Sequence, residues 1–145
     1  SQAVEHSPVT VMITDKNGII EYVNSGFVET TGYSRDEAIG RTPNIVKSGE
    51  MDKSFYLQLW ESIKQGEVFR DVFVNTRKNG SIYYEEKTIT PMRNIQGDVT
   101  HYVSSGKDIT DRMRTHERLQ YLAHHDVLTG LPKGHACREQ AIPCD

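Results

Sequence analysis

Cysteine is nearly absent from this sequence: there are two in 145 residues, Cys137 and Cys144, both within the last nine. That pair cannot build a disulfide framework or a four-cysteine metal site, and the expected setting is a reducing cytoplasm. Long apolar runs are missing too. The longest are about three residues, such as Val72-Phe73-Val74, far short of the ~20 needed to span a bilayer. Charge of one sign is also lacking. Seventeen basic residues stand against 20 acidic ones for a net charge of −3, with no like-charged run. An electrostatic grip on nucleic acid or acidic lipid is therefore not expected. No histidine lies between His6 and His101, and there is no internal repeat.

What is present is an ordinary globular composition, 36% hydrophobic and 26% charged. The length suits one domain plus a short extension. Such a chain buries roughly two thirds of its unfolded surface and needs no staples to fold.

Val9–Thr14 is rich in β-branched residues and reads as a strand. Asn17-Gly18 then turns the chain into a second strand, Ile19–Val23. Asn24 stands where a helix N-cap belongs, ahead of Ser25–Thr31, and Gly32 can end that helix. Ser34 with Glu37 forms a capping box that opens one more short helix, stopped near Gly40. Residues 41–51 have no clear period and read as a loop. From Asp52 the pattern turns helical, with Phe55, Leu59 and Ile63 four apart, until Gly66. Three strands follow, Val68–Arg77, Ile82–Thr90 and Val99–Ser105, joined by turns at Asn79-Gly80 and Asn94–Gly97. A last helix is expected from about Asp111 to His125. Its apolar stripe is thin, so it needs a partner surface. Two strands, helices, then three strands predict an α+β fold, with helices on one face of a five-stranded antiparallel sheet.

The stretch HSPVTVMITDKNGIIEYVNSGFVETTGYSRDEAIGRTP resembles the opening half of a PAS domain, and GDVTHYVSSGKDITDR resembles its closing strand and exit. The expected organisation is a PAS sensory domain over 1–110 and a signalling linker helix over 111–126. Beyond it, HHDVLTGLP at 124–132 is similar to the opening of a diguanylate cyclase (GGDEF) domain. That family continues with Asn-Arg, whereas Lys133-Gly134 follow here, and the signature segment itself is absent. Residues 127–145 are thus expected to be a truncated start of that domain or a disordered tail. The chain is expected not to be an enzyme itself, although a longer parent could be a diguanylate cyclase.

Among PAS domains, FYLQLWESIKQGEVFRDVFVNTRKNGSIYYEEKTITP is most similar to flavin-binding redox sensors of the kind that regulate nitrogen fixation. In those sensors a Trp of this helix and an Asn of the next strand lie at the isoalloxazine ring. The matching positions are Trp60 and Asn75. The resemblance implies bound FAD, a homodimer and a C-terminal output domain. Light-sensing relatives need a Cys in an Asn-Cys-Arg motif, and no cysteine precedes Cys137, so a flavin–cysteinyl photocycle is excluded. Haem-binding relatives use a His on the long helix, which is also absent here.

The residues themselves allow this chemistry without requiring it. A flavin needs a flat apolar slot and a few placed hydrogen-bond partners. An amide suits its uracil-like edge because it offers both donor and acceptor. Asn75, between Val74 and Thr76, is an unusual choice for a strand and either points inward with a partner or faces solvent. Trp60 fits the wall of a slot or plain core equally well. Ser104 and Ser105, followed by Gly106, sit on a closing strand that should be central in the sheet. Small side chains there leave room, and an empty void of ~300 Å3 would cost roughly 7 kcal/mol. Either such a space is filled or these residues mark a bulge or an outward face.

Two further groups carry less. His124-His125-Asp126 cannot share a helix face, so no metal site is expected. Glu85-Glu86 point to opposite faces of a strand, cannot act as an acid–base pair, and are expected to face solvent or form salt bridges.

Overall fold

The computed structural model describes residues 2–5 and 8–124. The chain divides into two compact units between Ile109 and Thr110. The expectations for His125 and for residues 127–145 lie outside the described residues.

The first unit opens with a single helical turn, α1 (Gln2–Glu5), which sequence reading did not anticipate. Strand β1 (Thr10–Asp15) turns into β2 (Ile20–Val23) through Gly18, whose φ of 88° suits glycine. Asp15 Oδ1 holds the turn by accepting from the Asn17 and Ile19 amides at 2.8 and 2.9 Å. Asn24 caps α2 (Ser25–Thr31), and Gly32 closes it at a φ of 81°. The capping box of Ser34 and Glu37 forms around α3 (Arg35–Ala38). The expected loop at 41–51 contains a 3-10 turn at Pro43–Val46, begun by Thr42 Oγ1 accepting from the Asn44 amide. Helix α4 (Lys53–Lys64) follows Asp52 and buries Leu59 and Ile63.

Strands β3 (Phe69–Thr76), β4 (Ile82–Arg93) and β5 (Val99–Asp108) complete an antiparallel sheet in the order β2-β1-β5-β4-β3. The closing strand is central, as expected. Two strands run longer than the sequence suggested. β4 continues through Pro91 because β3 pairs with it only as far as Ile89, so a proline beyond that point meets a free edge. β5 continues through Gly106, which pairs in register with Thr10 on one side and Lys87 on the other, so no bulge forms there.

The helices lie on the inner face, α2 on β1, α3 on β2 and α4 on β3 and β4. One buried cluster joins Met12, Ile20, Val23, Phe27 and Ala38, and a second joins Leu59, Ile63, Phe73, Ile89 and Tyr102. In the second unit, α5 (Thr110–Ala123) is a polar helix with Leu119 and Leu122 exposed. No helix among the described residues is long and apolar enough to cross a membrane.

Candidate ligand-binding site

A cavity of about 260 Å3 lies between the inner face of the sheet, helix α4 and the segment around Pro43–Lys47. Its floor owes its depth to one row of the sheet. Ser104 on β5 is flanked in register by Met12 on β1 and Ile89 on β4, so a small side chain sits between two large ones. Trp60 contributes the wall from α4 and meets the Tyr102 ring edge to face at 6.0 Å between centroids. Tyr56 stands nearby with the Lys47 ammonium 4.1 Å over its ring. Burial raises the Tyr56 and Tyr102 phenols above their ordinary range.

Asn75 reaches the cavity from β3 and is 2% exposed, so the solvent-facing alternative does not hold. Its backbone is fixed from two sides, by pairing with Tyr83 and by a bridge to Lys47. Its side-chain Nδ2 donates to Glu85 Oε1 at 3.0 Å. Glu85 Oε2 accepts from Thr10 Oγ1 at 2.5 Å, and Lys87 Nζ stands 3.5 Å from Oε1. Burial pushes the Tyr83 phenol far above its ordinary value; the negative charge of Glu85 adds to this and a hydrogen bond with Asn75 opposes it. On its other side Tyr83 carries the Arg77 guanidinium at 4.7 Å, and Arg77 pairs with Asp108 at 3.0 Å. A line of contacts thus runs from the cavity amide to the end of β5.

Of the four residues singled out from sequence, the structure brings Trp60, Asn75 and Ser104 together at the cavity. Ser105 is a correction. Strand alternation turns it to the opposite, exposed face, where it does not line the cavity. Gly106 does not add open room either, because a Cβ there would overlap the Glu85 carboxylate. Sequence reasoning did not place Glu85 or Lys87 beside the site; they are 3% and 6% exposed, so the solvent-facing alternative for Glu85 does not hold. Glu85 does have the ion-pair partner that the other alternative offered. The one available signal was the period-two phase of Tyr83, Glu85, Lys87 and Ile89. The alternate phase, Ile82, Tyr84, Glu86, Thr88 and Thr90, likewise sets charge among β-prone residues, so the pattern did not point to the phase that carries Glu85 and Lys87 inward. Among the described residues, no group of three or more His, Cys, Asp or Glu is placed to hold a metal ion.

The family profile for the PAS fold matches residues 1–109. The chain belongs to the PAS family. Within it, this PAS domain is 30% identical over 117 residues to a nitrogen fixation regulatory protein of Klebsiella oxytoca, which covers 81% of this chain and 24% of that protein. It is 34% identical over 112 residues to a blue-light photoreceptor of Listeria innocua, covering 75% of this chain and 44% of that protein. The solved structure of an RNA-binding light-oxygen-voltage receptor superposes with a TM-score of 0.76 at 26% identity, over 84% of this chain and 35% of that one. The PAS domain thus spans less than half the length of each of these relatives.

Proposed function

We propose that this PAS domain is a sensor that holds a flavin, FAD, without a covalent bond and responds to its redox state. The observation that carries the reading is the buried Asn75 amide facing a cavity walled by Trp60 and floored by Ser104. The donor set suits the group: aromatic and aliphatic walls for a planar ring, and one amide for its polar edge. Similarity to a nitrogen fixation regulatory protein and to blue-light photoreceptors supports a sensory role. The absence of cysteine before Cys137 favours redox sensing over a thiol-adduct photocycle.

A bound flavin would supply redox chemistry with a change of protonation at its N5 edge. Trp60 would stack against the ring, Ser104 would leave space for it, and Asn75 would present its amide to the edge. A shift of that amide against the ring edge, its NH2 end still on Glu85, would alter its bonds to Glu85 and Tyr83, and through Arg77 would reach Asp108 at the close of β5. In a parallel homodimer α5 would then set the spacing of two output domains, as a shift between two populated arrangements. HHDVLTGLP supports a diguanylate cyclase as that output.

One observation favours a second reading, a smaller ligand or none, with dimerisation as the main role. The cavity lies just below the range of about 300–1,000 Å3 typical of small-molecule sites. The visible spectrum of freshly purified protein separates the two. Flavin absorption in the blue is expected, with FAD in the mass spectrum of the extract. A colourless protein that takes up no added FAD sinks the first reading.

A further inference from the structure

The Glu85 carboxylate stands inside the fold, where its two oxygens meet Thr10 and Asn75 and its nearest cation is Lys87. An ionised carboxylate only accepts hydrogen bonds. Asn75 must therefore show it the NH2 end of the amide, which leaves the carbonyl oxygen Oδ1 for other partners. A neutral group of the same shape at position 85 would tolerate the amide either way round.

Gly106 is matched to this arrangement. Its φ is not in the left-handed region, so the backbone does not demand glycine there. Space does. It lies in register between Thr10 and Lys87, and any Cβ would collide with the carboxylate that crosses over it from β4 to β1. A central strand has thus given up a side chain at the point where the carboxylate passes.

We infer that Glu85 is a positioning residue of the sensing site: its charge holds the Asn75 amide in one orientation, so the cavity presents an acceptor, Oδ1, and selects a ring edge that brings an N–H to it. The uracil-like edge of a flavin carries such an N–H. The selection of FAD rests on the reading given under Proposed function; the orientation of Asn75 does not.

The test uses protein labelled with 15N at asparagine, first without flavin. The Asn75 NH2 protons should exchange with solvent far more slowly than those of exposed Asn17 and Asn44. In Glu85→Gln they should shift and exchange faster. FAD added to Glu85→Gln should bind about tenfold more weakly, or about 1.4 kcal/mol, than to the wild type. Its midpoint potential should move as well, which a merely structural role would not produce. Asn75 protons that exchange as fast as Asn17 in the wild type overturn the inference without any variant. Asn75 signals unchanged in Glu85→Gln overturn it too, as does FAD bound with wild-type affinity and potential. A wild-type protein that takes up no FAD fails the flavin reading alone, and the Asn75 signals then decide the positioning role by themselves.

Discussion

Glu85 on β4 and Gly106 on β5 compete for one volume: the carboxylate lies where the glycine's Cβ would stand. The two positions should therefore be coupled in stability. Gly106→Ala is expected to cost about 1–3 kcal/mol through overpacking. In a Glu85→Ala background the same change should cost less, with a coupling above about 0.5 kcal/mol. Urea unfolding of the four proteins measures it, and equal costs in both backgrounds would show that the two groups do not compete.

Asn24 is buried and fully used. Its Oδ1 accepts from the Val11 and Phe27 amides at 2.8 and 3.0 Å, and its Nδ2 donates to the Val4 and Val9 carbonyls at 2.7 and 3.0 Å. Asn24→Ala removes a helix cap and strands buried backbone groups, so a loss of at least about 3 kcal/mol is expected. Asn24→Asp should be worse, because it turns an oxygen toward two carbonyl oxygens. Thermal melts rank the variants, and an aspartate as stable as the wild type would contradict this account.

Trp60 is the single tryptophan, so its emission reports on the cavity without labelling. Saturating FAD should quench most of it, since a planar ring in the cavity stacks against or near the indole. Flavin uptake seen by absorbance with unchanged tryptophan emission would place the flavin elsewhere.

Lys78 holds Glu37 at the surface. The hydrogen bond from its ammonium, aided by the Ser34 backbone amide, lowers the Glu37 carboxyl to about 2 from an ordinary 4.5. A carboxyl depressed on folding adds stability above its unfolded value, and that stability is lost as pH falls through the folded one. Lys78→Met should therefore lower the melting temperature slightly at neutral pH. The gap from the wild type should close as pH falls from about 4.5 to about 2. A gap that widens on acidification would reverse the assignment.

The parts of the fold legible in the chain were those specified by neighbours in sequence. Asn17-Gly18, the Asn24 cap and the Ser34–Glu37 box each act within about four residues, and each appears where local chemistry put it. Trp60 and Asn75 were legible only through family resemblance, because a tryptophan on a helix or an asparagine in a strand is locally ambiguous. Ser104 and Ser105 could not be told apart, since one residue of phase decides which of them faces the cavity.

Composition, turn residues and periodicity by themselves determined an α+β domain with helices on one face of a five-stranded antiparallel sheet and no cysteine before Cys137; the central place of β5 came from the PAS resemblance. Only the tertiary structure decided that Glu85 and Lys87 go inside and Ser105 goes out. The physical reason is that strand phase is set by what lies across the sheet. Thr10, Gly106 and Asn75 stand far apart from Glu85 along the chain, or on another strand, and it is their donors and their empty space that make a buried carboxylate tolerable.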